Sequence, residues 1–333
     1  MRHAMQVVTL LFAAALPFAV PTALAQAPDK AKRVGYVVWS SYGPRGHLEQ
    51  ALLDGMRNQG YVEGRNLVVE RRYVEAGGIE RVRDAADELA ALSLDVIVST
   101  CSPSTAAVKQ ATSKSGTPVV MAVVSDPVGQ GLVASLGHPG GNVTGLSSQG
   151  EDTVPKMLQL FSAVVPKGAR IAVLHNTSNP VHSRLWRDLE QAGEVLGIKL
   201  VRIDISGRAD LATAFETIAR ERLGALLVLP DDNMTFNARA QLVELAAKQS
   251  IPAIYGAREF VVDGGLMSYG VNYASSYRQA AIYVDKVLKG AKPASLPVEQ
   301  PTRFEFVVNL TAAKALGIRI PQALLVRTDE VIQ

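Results

Sequence analysis

The chain runs to 333 residues, 48% hydrophobic and 20% charged, with a net charge of +3. That balance excludes disorder, and the length is sufficient for two domains. The basic excess is small and spread without a Lys/Arg run, so nothing supports nucleic-acid binding, and a single cysteine leaves no intramolecular disulfide.

Met1-Arg-His3 is a short basic start, and Val7 to Val20 is an apolar stretch interrupted by Pro17. Ala23-Leu-Ala25 follows as a small-x-small cleavage site. The apolar core is short for a membrane span. Residues 1–25 are therefore expected to be a cleavable signal peptide, which places the chain from Gln26 onward in the periplasm. No later stretch is apolar for long enough to span a bilayer, and no cysteine follows the apolar core to carry a lipid anchor.

From there strands and helices alternate. Arg33-Val-Gly-Tyr-Val-Val-Trp39 is a strand, Ser40 to Pro44 a loop, and His47 to Asn58 a helix with Leu48, Leu52 and Met56 on one face and Gly60 closing it. Trp39 is expected to pack, partly buried. Asn66 to Tyr73 is the second strand, and Ile79, Val82, Ala86 and Leu89 fall at helical spacing. Asp95-Val-Ile-Val-Ser99 is a β-branched run, and Ser102-Pro103 then opens a helix, with Ser102 the expected N-cap. Thr117 to Val124 is the fourth strand. Four β–α units with strands apolar throughout predict a parallel sheet covered on both faces.

A Gly-rich segment, Val128 to Asn142, comes next. Gly129 and Gly131 start like a dinucleotide fingerprint, but Ala134 stands where the third glycine belongs, and the segment follows the fourth strand instead of the first. Nucleotide binding is rejected and no cofactor is expected. The glycines serve turns before Val143 to Leu146, a strand leaving the first domain.

After Glu151 the pattern restarts with a helix carrying Met157, Leu158, Leu160 and Phe161. Strands at Arg170–Leu174, Lys199–Ile203, Ala225–Leu229, Pro252–Tyr255 and Leu266–Gly270 alternate with helices at Val181–Leu196, Ala209–Leu223 and Asn237–Gln249. A helix from Ser275 should return to the first lobe. Pro293, Pro297 and Pro301 mark an irregular crossing before Phe304–Val308 and a closing helix from Thr311. The predicted class is α/β: two doubly wound parallel-sheet lobes joined by a multi-strand hinge. Residues 26–147 and 273–333 are assigned to lobe I and 148–272 to lobe II. In such a plan the strand carboxyl ends of both lobes face one cleft, and hinge closure traps a small molecule.

The stretch from Asp95 to Val108 is the focus of that cleft. A helix start after a central strand offers backbone N–H groups, and Ser102, Ser104 and Thr105 add hydroxyls; this suits an anionic group such as a carboxylate. Cys101 is expected to be a small buried residue, since no histidine stands nearby to activate it.

Several runs carry a family likeness. They are Gly60-Tyr-Val-Glu-Gly-Arg-Asn66, Val124-Ser-Asp-Pro-Val-Gly-Gln-Gly-Leu-Val-Ala-Ser-Leu136, Pro139-Gly-Gly-Asn-Val-Thr-Gly145, Ser268-Tyr-Gly270, and Pro301-Thr-Arg-Phe-Glu-Phe-Val-Val-Asn-Leu310 with Ala313-Lys-Ala-Leu-Gly317. In these the chain resembles the substrate-binding proteins of ABC transporters, in the subfamily whose characterised members take up aromatic amino acids such as tryptophan. The resemblance covers nearly the whole chain after the signal peptide. It implies a type I periplasmic-binding fold, a monomer, a small-molecule ligand, and delivery to an inner-membrane permease with a cytoplasmic ATPase.

An amino-acid ligand requires donors for its carboxylate, an anion for its ammonium and a surface for its side chain. Ser102, Ser104 and Thr105 supply the first, with Ser125 at the end of the fourth strand beside them. Asp126 is a candidate for the ammonium, against a turn-capping role. Asp231 and Asp232 compete from the second lobe, one of them as a helix cap, and Asn176 can donate and accept. Tyr42 and Tyr255 are the aromatic candidates, with Tyr269 and Glu259 further options.

Enzyme signatures are absent: there is no G-x-S-x-G elbow, P-loop or H-E-x-x-H. His175 and His182 lack metal-ligand spacing and are read as solvated, so no metal is expected. No histidine is placed to activate Ser102 or Ser104, which makes a periplasmic hydrolase the weaker alternative. A module reporting to a membrane sensor is the other.

Overall fold

Runs such as Val96–Ser99 and Val119–Val124 have no polar face, so they are stable only as strands covered on both sides. A computed structural model, which describes residues 30–38, 46–74 and 78–333, shows how they are covered. In chain order the first part comprises β1 (Lys32–Val38), α1 (His47–Asn58), β2 (Leu67–Tyr73), α2 (Ile79–Ala90), β3 (Val96–Ser99), α3 (Ser102–Ala111), β4 (Val119–Val124) and β5 (Val143–Ser147). The second comprises α4 (Gly150–Ser162), β6 (Ile171–Asn176), α5 (Pro180–Leu196), β7 (Leu200–Ile205), α6 (Leu211–Arg220), β8 (Ala225–Val228), α7 (Asn233–Asn237), α8 (Arg239–Lys248), β9 (Ala253–Tyr255), α9 (Arg258–Val262) and β10 (Met267–Gly270). The chain ends with α10 (Tyr273–Leu288), β11 (Glu305–Asn309), α11 (Leu310–Ala315), α12 (Gln322–Leu325) and β12 (Glu330–Ile332).

The first sheet has the order β2-β1-β3-β4-β5 and is parallel throughout. Alternation sends Val96, Val98, Val120 and Ala122 to one face, under α1 and α10, and Ile97, Val119 and Met121 to the other, under α2 and α3. The second sheet, β12-β11-β10-β9-β8-β6-β7, winds its five parallel strands the same way, with β6 taking the place of β1. Both lobes are doubly wound.

One boundary differs from expectation. The chain from 273 to 333 does not stay in lobe I. Its first part does: α10 packs on α1, and Glu299 bonds the backbone of β5. From Glu305 it crosses again, because β10 would otherwise be an open edge. β11 pairs antiparallel with it, Met267 opposite Val308, and buries Phe306 and Val308 in the lobe II core. β12 then pairs with β11. Lobe I therefore takes 273–300 and lobe II the rest. The very short α9, α12 and β12 carried no periodic signal to predict them. The signal-peptide segment 1–25, Trp39 and the Ser40–Arg45 loop lie outside the described residues. Among the described residues no helix is long and apolar enough to cross a membrane.

Three crossings join the lobes, at 147–150, 270–273 and 300–305. In the first, Gln149 adopts a left-handed φ of 51°, uncommon for a residue with a Cβ. The return of α10 depends on Gly55 in α1, where a Cβ would lie 2.7 Å from the Ala281 Cβ and 2.8 Å from the Arg278 carbonyl oxygen. Gly55→Val should therefore force α10 off α1, costing about 1–3 kcal/mol of stability in urea unfolding. An unchanged midpoint would show the helices can shift freely.

Candidate functional site

With this winding, each sheet reverses strand order beside its first strand, and the crevice outside the strand carboxyl ends is the place for a ligand. The β3 end delivers Thr100, Cys101 and Ser102, and the β8 end delivers Asp231, Asp232 and Asn233, to one shared cleft, a half-open space of about 840 Å³ with the solvent at its mouth included. Phe236, Tyr73 and Tyr273 form aromatic walls. Phe236 and Tyr273 meet edge to face at 5.4 Å, and Phe260 supports Phe236 from behind at 6.2 Å.

At the start of α3 the cap is one residue earlier than expected. Cys101, extended at φ −158°, is the N-cap, and Ser102 is the first helical residue. Ser104 Oγ accepts from the Cys101 N–H (3.2 Å) and donates to the Cys101 carbonyl (3.0 Å). Thr105 Oγ1 donates to the same carbonyl (2.8 Å) and meets Ser99 Oγ at 2.7 Å. Both side chains are fully buried and spent on the backbone, so of the three expected carboxylate donors only Ser102 lines the cleft. Its Oγ accepts from Gln130 Nε2 at 3.1 Å. Cys101 is buried as expected, and burial pushes its thiol up, away from the reactive thiolate.

Ser125, at the end of β4, lines the cleft, is 2% exposed, and its hydroxyl has no hydrogen-bond partner among the described residues. It shares a corner with Asp231. A Cβ on Gly150 would lie 2.9 Å from Ser125 Oγ and 2.3 Å from Asp231 Oδ2, so the glycine leaves room for a lobe I hydroxyl and a lobe II carboxylate on either side of the first crossing, with no hydrogen bond between them. Asp231 holds φ at 60°, a left-handed value that Asp tolerates.

Of the other candidates, Asp232 also lines the cleft but is committed to a cap, and the rest are placed elsewhere. Asp232 is the cap of α7: Oδ2 accepts from the Thr235 N–H (3.1 Å), and Oδ1 accepts from Asn176 Nδ2 (2.9 Å). Asn176 therefore sits behind the cleft and holds that cap. Asp126 turns away from it, to the Gly129 N–H (2.9 Å) and Arg184 (2.5 Å). Tyr255 is a core residue stacked on Phe260 at 4.6 Å, because the short β9 is covered on both faces. Tyr269 packs on Phe304 at 5.8 Å, and Tyr42 lies outside the described residues. Neither histidine is solvated: His175 is 4% and His182 0% exposed. His182 faces inward from the first turn of α5, where Nδ1 accepts from the Asn176 N–H (2.9 Å) and Nε2 donates to the Pro230 carbonyl (3.1 Å). It fastens the β6 end to the turn that carries Asp231.

Most of the lining, including Tyr36, Tyr273 and Tyr277, was missed from sequence, and two of the missed residues show why. Glu49, on α1, is buried and bonded by Arg71 Nε and Tyr73 OH, both at 2.6 Å. Arg71 and Tyr73 are two apart on β2 and share a face, which is the signal that could have found an acid between them. Phe236 is on a five-residue helix, too short for any pattern.

The family model of ABC transporter substrate binding proteins matches residues 42–332. The chain belongs to that family. Within it, the chain is similar to a tyrosine-binding protein of Clostridioides difficile (strain R20291), 26% identical over 291 residues, covering 87% of this chain and 82% of the relative. The fold is similar to a conserved domain protein from Vibrio cholerae, with a TM-score of 0.83 and 31% identity over 91% of this chain and all of that one. It is also similar to an ABC domain from Streptococcus pneumonia in complex with L-Trp, with a TM-score of 0.79 and 26% identity over 90% of this chain and all of that one. The two lobes are those of a type I periplasmic-binding fold.

In this substrate-binding protein, Ser104→Ala should lower stability by about 1 kcal/mol, the value of a helix cap, and leave ligand affinity within about twofold. A large affinity loss without a stability loss would return Ser104 to the cleft. Burial holds the His182 ring below its ordinary value near 6.5, so the unfolded chain takes up the proton first. Stability should then fall as pH drops below about 6.5, towards the folded ring's own titration, and be flat in this term above it. Urea midpoints at pH 7.5 and 5.0 check this: His182→Gln should show a shallower decline than the parent, and equal declines would refute the assignment.

Proposed function

We propose that the protein is the periplasmic receptor of an ABC importer, that it captures an amino acid with an aromatic side chain, and that it delivers this ligand to an inner-membrane permease. The observation that carries this reading is the buried, unpartnered Ser125 hydroxyl in an aromatic-walled cleft that the Asp231 carboxylate also lines. Leaving such a hydroxyl unmet costs about 1–3 kcal/mol, which a polar ligand group recovers. Asp231 suits an ammonium, and Ser102 with the N–H groups at the start of α3 suits a carboxylate. Phe236 and Tyr73 offer faces and edges for a ring. The tyrosine-binding relative and the structure holding L-Trp support that choice of ligand. The basic, apolar and small-residue pattern of residues 1–25 supports export to the periplasm.

Capture works by population shift. Ser102 and Ser125 belong to lobe I, and Asp231 and Phe236 to lobe II. A ligand touching both sets makes its full contacts only when the lobes are closed, and this difference in affinity drives closure.

The test is calorimetry and thermal shift on Gln26–Gln333, stripped by unfolding and refolding, against amino acids, sugars and small carboxylates. Tryptophan, tyrosine or phenylalanine should raise the melting point. Asp231→Asn should weaken that ligand more than about tenfold, as loss of a charged hydrogen bond implies. A response to sugars alone would overturn the amino-acid reading.

A further inference from the structure

The lobes also touch through residues to which no ligand contact is assigned, one of which, His47, lines the same cleft. Asp126 is fixed by lobe I alone. Its backbone is left-handed at φ 41°, and Oδ1 accepts from the Gly129 N–H at 2.9 Å. Gly129 has to be glycine for this, since a Cβ would lie 2.1 Å from Asp126 Oδ2. So held, Oδ2 reaches across to Nη1 of Arg184, on α5 of lobe II, at 2.5 Å. A second contact joins different elements. Glu259, on α9 of lobe II, is 6% exposed, and its Oε1 lies 3.0 Å from Nε2 of His47, the first residue of α1. An ionised carboxylate only accepts, so Nε2 carries the hydrogen. Arg239 and Arg258, from the same lobe as Glu259, also act on its charge. Hinge opening has to separate both contacts.

We propose that Asp126–Arg184 and His47–Glu259 form a two-point clasp that holds the lobes closed without ligand, so that the empty protein dwells in the closed form and releases ligand slowly. The clasp uses none of the groups assigned to the ligand, and its strength depends on charge at Asp126, Arg184 and Glu259.

The sole cysteine provides the measurement. Cys101 lies on lobe I, is 9% exposed in the closed cleft, and is hydrogen-bonded by Asn233 of lobe II. Its alkylation by N-ethylmaleimide in the refolded, unliganded chain therefore reports opening. Asp126→Asn, which keeps the Gly129 bond, and Glu259→Gln should each raise the rate roughly two- to fivefold, and the double variant roughly tenfold, the range for partly exposed ion pairs. Arg184→Gln, on the other lobe, should match Asp126→Asn, whereas Arg184→Lys should stay near the parent. Added 0.5 M NaCl should speed the parent and leave the double variant unchanged. Arg202→Gln, which breaks a pair within lobe II (Arg202–Asp204, 3.0 Å), serves as the control and should change nothing. Parent-like rates for the double variant and for Arg184→Gln, with folding verified by circular dichroism, would overturn the clasp. No ligand enters the experiment, so failure of the amino-acid reading leaves this result intact.

Discussion

Two strand-to-helix turns facing each other across the cleft impose the main constraint on this molecule. Each must satisfy the free N–H groups of a helix start and still present chemistry to a ligand. The chain divides the work between neighbours. At α3, Cys101, Ser104 and Thr105 serve the backbone, which leaves Ser102 on the cleft side. At α7, Asp232 is the cap and is held from behind by Asn176, while Asp231, one residue earlier, faces the cleft in a left-handed conformation. The residue that faces the ligand is in each case next to the one that caps the helix.

The hinge is subject to the same constraint. Gly150 opens α4 and ends the first crossing, and the space of its missing side chain is bordered by Ser125 on one side and Asp231 on the other. Among the described residues, three of the five left-handed non-glycine residues, Asp126, Gln149 and Asp231, lie at this crossing or at the strand ends beside it. Such conformations persist only where surrounding structure over-determines them, and here packing of the two lobes does so. Movement at 147–150 therefore acts on both the ligand corner and the Asp126 turn.

Much of this was legible in the sequence. Strands with no polar face had to be central, and helical spacing located α1 to the residue and the apolar face of α2. Lobe membership of the last strands was not legible, because β11 has the same apolar composition whichever sheet it joins, and only the open edge of β10 decides. For the site, residue type predicted location better than role. Serines and aspartates after strands did gather near the cleft, but a hydroxyl that caps and one that faces ligand differ by a single helical position, as Ser102 and Ser104 show. Tyr255 was a strand-end tyrosine by sequence and a core residue in the fold, since nothing in three residues reveals that both faces are covered. Glu49 was hidden for the opposite reason: an acid on a helix is ordinarily solvated, and its burial depends on Arg71 and Tyr73 arriving from the next strand, 22 and 24 residues on.

A receptor of this kind faces conflicting requirements, and the positions of its charges bear on how they are balanced. Tight capture favours a closed form, and transfer requires an open one. If all cross-lobe attraction passed through the ligand, affinity and release would be set by the same contacts. Contacts outside the ligand groups separate the two. As a clasp, Asp126–Arg184 and His47–Glu259 shift the open–closed equilibrium by a fixed amount for every ligand, whereas Asp231, Ser125 and Phe236 line the cleft itself. Arg184 and His47 are each about half exposed, which keeps those contacts weak and within reach of solvent ions or of a partner surface. A partner that offered an acid to Arg184 or a base to Glu259 would loosen the clasp without touching the ligand. Specificity could then stay with the buried groups of the cleft and timing with the exposed ones at its edge.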